Sequence, residues 1–468
     1  MGGVFGCTLN EDCVCDLFYG TDYLSHLGTR RGGMAVKGPG IFERSIHNIE
    51  NDYFRTKFES DLPKFKGGLQ GIGVISDTDA QPMVISSHLG QFAIVTVAKI
   101  NNIEDLSRKA FQKHRHFSEL SSQGINPTEL VANLICEEAS FTAGIQYAQE
   151  VIQGSCSMLI IAEDGLYAAR DKLGRTPLII GKKENGYAVS SETCAFPNLN
   201  YETEYELGPG EIVRLTSGGY EQLKTPGEKM QICSFLWVYY GYPASSYENI
   251  SVEQVRYRCG AALAKNDNVQ IDFISGIPDS GIGHALGYAH EKKLPYQRAF
   301  VKYTPTWPRS FMPQNQQTRD LVARMKLIPV RSLIQGKKIL FCEDSIVRGT
   351  QLKDNVQVLY DYGVKEVHMR PACPTLIYPC VFLNFSTSRS TLDLAGRKAI
   401  QEIEGREDKD LELYATANSE KNLAMIEKIR QKLRLTTLVY QRMDDMIQSI
   451  GLPKERLCTH CWDGTSYF

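Results

Sequence analysis

The amino-acid sequence predicts two folds in one chain: an α+β domain of mostly antiparallel sheets over 1–235, then an α/β domain with a parallel sheet over 252–400, with a helical tail over 401–468. Three observations predict this. The first half is a series of short β-rich runs broken by turns. From Val252 onward, strand, turn and helix alternate, the texture of a sheet with helices on its faces. Within 408–450, the apolar residues Leu411, Leu413, Leu423, Ile426 and Ile429 recur among charges at helical spacing.

The strands follow in order. GIGVIS (71–76), FAIVTVA (92–98) and SMLIIAEDGLYAARD (157–171) are apolar and β-branched. In TPLIIGKKENGYAVSS (176–191) two such runs flank Asn185-Gly186, a dipeptide suited to the left-handed angles of a tight hairpin. Gly208-Pro209-Gly210 turns the chain into EIVRL. In the second half IDFIS (271–275) leads through GIPDSG to the helical HALGYAHEK. KKILF (337–341) leads through EDSIVRGT to LKDNVQVLYDYG, and KEVHMRP (365–371) is the next strand.

Composition sets bounds. A chain of 468 residues exceeds what one hydrophobic core ordinarily serves. A net charge of −2 gives no basic footprint for nucleic acid. No apolar run approaches the roughly 20 residues that span a bilayer. The start, MGGVFGCTLNEDCVCD, has neither the basic head nor the apolar stretch of a secretory signal. Gly6 stands where myristoylation wants Ser or Thr, and a cytoplasmic protein is expected. The 13 cysteines are odd in number and mostly single, which favours buried thiols and a metal site over a disulfide framework.

The string IQGKKILFCEDSIVRGTQLKD concentrates the chemistry. A strand runs into two carboxylates, Glu343 and Asp344, and a small-residue turn from Ser345 to Thr350 then opens a helix. Ligands of open α/β sheets bind beyond the carboxyl ends of strands. Amides of such a turn and of the helix N-terminus cradle phosphate, and paired carboxylates suit ribose hydroxyls or Mg²⁺. An acidic pair alone is more often a helix cap; the whole string is not.

EDSIVRGTQ resembles the motif that binds phosphoribosyl pyrophosphate (PRPP) in type I phosphoribosyltransferases, most closely the glutamine PRPP amidotransferase family. Glu343 departs from that family's usual Asp. SGIPDSG (275–281), with Asp279 and Ser280, resembles the loop that meets the pyrophosphate. RMKL (324–327), with Arg319 upstream, resembles the basic segment after the flexible loop. The resemblance implies PRPP contacts from Glu343, Asp344, Ser345, Val347, Arg348, Gly349 and Thr350. It implies charge compensation on the leaving group by Arg324 and Lys326, and Mg²⁺ near Ser310, Glu343 and Asp344. The product would be phosphoribosylamine, as in purine biosynthesis. KYTPTWPRSF departs from the family's loop pattern by one extra residue, which favours a second reading: a non-catalytic paralogue regulating an active enzyme. Cys233, Cys380, Cys458 and Cys461 match the four cysteines that hold a structural [4Fe–4S] cluster in one branch of the family. Homo-oligomers are implied too.

EDGLYAARDKLGRTPLIIGK and GYAVSSETCAF resemble the family's N-terminal domain, of the Ntn-hydrolase type, which hydrolyses glutamine with an N-terminal cysteine. Here that position is Gly2. The supporting Arg is Leu27, the Arg that clamps the glutamine carboxylate is Ser76, and the Asn-Gly of the oxyanion hole is Val97-Ala98. The Asp that holds the amine is Pro127. The resemblance thus implies a degenerate glutaminase, with ammonia or another small amine as nucleophile. The domain would then serve as structural partner, regulatory surface or docking platform for an ammonia-supplying protein. Glutamine use would require Cys7 or Cys13 to stand in as nucleophile.

Overall fold

The computed structural model describes residues 2–38, 42–121, 124–303, 327–383 and 390–465. The first half is a sandwich of two antiparallel sheets. In the seven-stranded sheet, Gly2–Leu9 lies at the centre, between Gln70–Ser76 and Gly186–Ser190. The six-stranded sheet pairs Gly90–Ile100 with Gly154–Ala162 along its middle. Side chains alternate across a strand, so Val4, Ile72 and Val74 meet Val95, Leu159 and Ile161 in a buried layer between the sheets. Helix Val14–Asp22 covers the outer face of the first sheet. It approaches so closely that a Cβ on Gly73 would sit 1.9 Å from Thr21 Oγ1. On the second sheet, Pro127–Ile135 and Phe141–Val151 cover the outside. A tight hairpin joins Ile179–Lys183 to Gly186–Ser190 as expected, but its loop residues are Glu184 and Asn185, and Gly186, at φ +150°, is already paired with Lys183.

The second half is built on a parallel sheet in the order Phe273–Gly276, Lys338–Glu343, Glu366–Pro371, Thr437–Leu438. Helices Val252–Lys265 and Gly281–Lys292 pack together beside it, and Thr350–Asp361 follows the second strand. The segment after residue 400 is helical over Leu411–Ala415, Glu420–Lys432 and Met443–Ile450, with one difference from expectation. Thr437–Leu438 enters the sheet as its fourth strand, a two-residue element too short to leave a periodic signal. The chain then returns to the first half, where Leu457–Cys458 pairs in parallel with Ile232–Cys233. Trp462 packs on Phe235 at 4.6 Å between ring centroids. One apolar core therefore runs from Phe5 through Trp237 to Trp462.

The halves meet at Leu236–Tyr240, a wide turn of π-helical type. Such a turn leaves carbonyls without the usual helical partners, and a single buried side chain collects them. Arg256 donates to the carbonyls of Trp237 at 3.1 Å, Tyr239 at 2.6 Å and Gly241 at 2.8 Å. His284 Nε2 donates to the Val238 carbonyl at 3.1 Å.

Candidate functional site

Two strand ends converge in the second half. The loop Ile277–Ser280, which contains a cis Pro278–Asp279 peptide, packs against the end of Lys338–Glu343. Ile277 N donates to the Cys342 carbonyl at 3.1 Å. A Cβ on Gly281 would sit 2.4 Å from that same oxygen, so the approach needs glycine. Asp344, 3% exposed, is then held from both sides. Ser280 Oγ donates to its Oδ2 and Ser345 Oγ to its Oδ1, each at 2.5 Å. Burial raises the pKa of Asp344, and the serine hydroxyls and Arg256 only partly offset that. Burial, then the neighbouring Asp344 charge, pushes Glu343 well above the carboxylate range. Two adjacent carboxyls reluctant to ionise together form a place where a cation is welcome.

Around them stand the other sequence-predicted positions. Gly349, at φ +73°, caps the helix that Thr350 begins. The Val347 carbonyl accepts from Ala395 N at 2.7 Å, and the exposed Arg348 faces Asp393 at 3.4 Å. Asp279 is paired with Lys302, a residue the sequence reading did not single out. Its only sequence signal is a cation at the end of the strand-like AFVK. Strands Phe300–Lys302 and Leu327–Pro329 pair in antiparallel fashion. Ser310, Arg324 and Lys326 lie between them, outside the described residues.

A second cleft lies where the first half meets the Leu236–Tyr240 turn. Gly2, Leu27, Ser76, Val97 and Ala98 all line it, joined by Asp79, Glu192, Leu236 and Tyr240. Gly2 pairs with Ser76 across the strands. Ser76 Oγ accepts from Thr78 N and Asp79 N at 3.2 and 3.3 Å. Pro127 starts its helix, whose cap is the neighbouring Asn126, accepting from Thr128 N at 2.9 Å. Among the described residues no cysteine lines the cleft. Cys7 lies five residues along the strand from Gly2, on the order of 16 Å away. It is buried under helix Val14–Asp22, where the adjacent Cys13 and then burial hold its thiol well above the usual range. Such a thiol is a poor nucleophile. Glu192 is fully buried yet held below the ordinary carboxylate range. Burial pushes it up, and His26 at 3.1 Å, Tyr247 Oη at 2.6 Å and Ser245 Oγ at 3.1 Å outweigh that.

The predicted cysteines also converge. Cys233 and Cys458 are registered partners on their short parallel pair. The Cys380 and Cys461 thiols are hydrogen-bonded, and Leu383 N donates to Cys380 Sγ at 3.3 Å. The Cys461 thiol, amide donors and Arg175 bring Cys380 down to about 6 against the cost of burial. Arg175 itself stacks on Phe382 at 3.7 Å. Among the described residues no three His, Cys, Asp or Glu side chains lie close enough together for a single metal ion.

The comparisons agree with both halves. A glutamine amidotransferase domain family matches residues 70–198. The amidophosphoribosyltransferase of Methanocaldococcus jannaschii is 30% identical over 495 aligned residues, covering 99% of this chain and 97% of its own. That of Bacillus subtilis is 28% identical over 462, covering 96% and 89%. Among solved structures, the Bacillus subtilis glutamine PRPP amidotransferase bound to ADP and GMP superposes with a TM-score of 0.85 at 26% identity, covering 99% of this chain and 96% of that one. A structure of the allosteric regulatory enzyme of purine biosynthesis gives 0.84 at 25%, covering 99% and 95%. An antiparallel Ntn-type sandwich joined to a phosphoribosyltransferase sheet defines the class, a two-domain phosphoribosyltransferase with an amidotransferase-type partner domain. Within that class, the chain belongs to the amidophosphoribosyltransferase family.

Proposed function

We propose that this chain transfers an amine, ammonia rather than nitrogen from its own glutaminase, to C1 of PRPP, giving phosphoribosylamine and pyrophosphate. The observation that carries this reading is the contrast between its two clefts. One holds paired carboxyls, Glu343 and Asp344, of which Asp344 is braced by Ser280 and Ser345. The other has Gly2 at the nucleophile's position and, among the described residues, no thiol in its lining. The division of labour follows the domains: 1–235 as a degenerate amidotransferase unit, and 252–400, completed by 401–468, as the transferase.

Glu343 and Asp344 take the ribose hydroxyls, and the turn from Ser345 through Val347, Arg348 and Gly349 to Thr350 takes the 5′-phosphate at a helix N-terminus. Asp279 and Ser280 meet the pyrophosphate, with Lys302 beside them. The C1–O bond to pyrophosphate breaks through an oxocarbenium-like centre as the amine attacks. The amine then loses a proton. Arg324 and Lys326 compensate the leaving charge, as the family resemblance assigns them. Mg²⁺ fits the carboxyl pair, since a dication relieves the mutual repulsion and burial that resist ionisation there; Ser310 completes the set by resemblance. When bound, it supplies charge compensation to the pyrophosphate.

Cys233, Cys380, Cys458 and Cys461 suit a [4Fe–4S] cluster. They are four thiols with amide and Arg175 support for anionic sulfur. Its role is structural, tying the return of the tail to the first half. Iron and sulfide analysis of anaerobically purified protein tests this, with Cys380→Ser expected to lose both. A homo-oligomer is expected, measurable by sedimentation.

The reading is tested by pyrophosphate release from PRPP and Mg²⁺ with ammonium, glutamine or no amine. Release with ammonium alone is expected. PRPP binding without release under any condition overturns it in favour of a non-catalytic regulator.

A further inference from the structure

The loop between Gly165–Ala169 and Ile179–Lys183 belongs to the first half, yet it meets every segment that carries a predicted cluster cysteine. Asp171 shapes it, accepting from Leu173 N at 2.9 Å and from Arg175 N at 2.9 and 3.1 Å. Ser155 Oγ donates to the same carboxylate at 2.5 Å and fastens the loop to the sheet. Arg175, 2% exposed, is thereby presented to the junction of the two halves on a fixed backbone.

Its contacts divide among the cysteine segments. The Arg175 carbonyl accepts from Cys233 N at 3.2 Å. The guanidinium donates to the Gly154 carbonyl and to Gln231 Oε1, each at 3.3 Å, and lies over the Phe382 ring at 3.7 Å. From there it hydrogen-bonds the Cys458 thiol, and its charge reaches Cys380. Cys461 is joined to the set by its own hydrogen bond with Cys380. A second first-half residue holds the Cys380 segment, since Asn101 Nδ2 donates to the Val381 carbonyl at 2.9 Å. The tail holds it from the other side, where the Cys461 carbonyl accepts from Ile377 N and Tyr378 N at 3.0 and 3.1 Å.

A cluster bound by four thiolates is a net anion, and a buried anion is costly unless a cation or donors face it. A guanidinium is permanently charged and offers several donors in one plane. Placed at the ligand sulfurs, it stabilises the more negative, reduced state and raises the potential.

We infer that Arg175 is a positioning residue of this centre and its built-in counter-charge, and that completing the centre is what the first half contributes to the second. This rests on the reading of Cys233, Cys380, Cys458 and Cys461 as cluster ligands. The degenerate half then has a function that needs no glutamine and no nucleophile, only a rigid loop.

The test uses full-length protein, purified anaerobically and reconstituted with ferrous iron and sulfide, as wild type, Arg175→Gln, Arg175→Lys and Asn101→Ala. Iron and sulfide content, a photoreductive titration followed by EPR, and the rate of bleaching by EDTA are read on each. Arg175→Gln should lower the potential by about 59 mV or more, tenfold in the one-electron equilibrium. It should also bleach about tenfold faster. Arg175→Lys keeps the charge and should recover most of the potential, with less of the resistance to bleaching. Asn101→Ala, at an exposed position, should bleach faster at an unchanged potential. Should Arg175→Gln give no folded protein, faster bleaching in both Arg175→Lys and Asn101→Ala upholds the assignment, and wild-type rates in both overturn it. Potential and bleaching unchanged in both Arg175 variants overturn the inference and leave the cluster reading standing. Iron loss in Arg175→Gln that Arg175→Lys does not restore marks a merely structural residue and overturns the counter-charge. A wild type that takes up neither iron nor sulfide removes the cluster reading, and this inference with it.

Discussion

The crevice beyond Lys338–Glu343 and the cleft at Gly2 are both made where strands of a well-packed sheet end, yet they present different groups. In the crevice Asp344 is oriented by Ser280 and Ser345, with Glu343 beside it. In the cleft the positions that resemble catalytic ones carry Gly2, Leu27, Ser76, Val97 and Ala98. The sandwich around them is nonetheless complete, with Val4, Ile72, Val95 and Leu159 buried between its sheets. Folding rests on the apolar layers and ladders, whereas chemistry rests on a handful of side chains that contribute little to either.

The largest expected effect sharpens the active side of that contrast. Asp344→Asn should lower ammonium-dependent pyrophosphate release by about 100-fold or more. The urea unfolding midpoint should barely move, because an amide still meets both serine hydroxyls. Arg256→Ala strikes the joint between the two regions. It leaves three buried carbonyls without their donor and should cost about 3 kcal/mol by urea denaturation, with ammonium KM and PRPP KM rising together.

A pH effect follows from His284. Burial lowers its pKa from 6.5 to about 3. Between those values the unfolded chain binds a proton that the native protein refuses, so stability rises with pH through that window and falls on acidification from pH 6.5. The slope is up to about 1.4 kcal/mol per pH unit. Unfolding curves at pH 5 and 7 measure it, and His284→Gln should flatten the difference. The smallest effect probes the silent side. Gly2→Cys restores a thiol but none of its support, so glutamine hydrolysis should stay at background. Its Cβ would lie 2.6 Å from the Ile75 carbonyl, and the backbone shift should cost about 1 kcal/mol.

Much of this was legible in the residues. The strands with alternating or continuous apolar runs fall where expected, as Gln70–Ser76 and Lys338–Glu343 do. The turn after Glu343 announced itself because glycine, hydroxyls and carboxylates are required there together. What stayed hidden depends on distant partners. Thr437–Leu438 is a strand only because Glu366–Pro371 lies beside it. Arg256 looks like any helical arginine until the Leu236–Tyr240 turn presents its carbonyls. Lys302 gains meaning from Asp279. The four cysteines are separated by up to 228 positions, counting from Cys233 to Cys461. Only the resemblance joined them before the return of the tail did.

The central claim is that nitrogen reaches PRPP as ammonia and not from glutamine bound by this chain. An isotope competition tests it most directly. Anaerobically purified protein, PRPP and Mg²⁺ are supplied with ¹⁵N-ammonium and unlabelled glutamine at equal concentration, and the trapped phosphoribosylamine is read by mass spectrometry. The account predicts that the product carries ¹⁵N throughout. Product carrying unlabelled nitrogen from glutamine would contradict it.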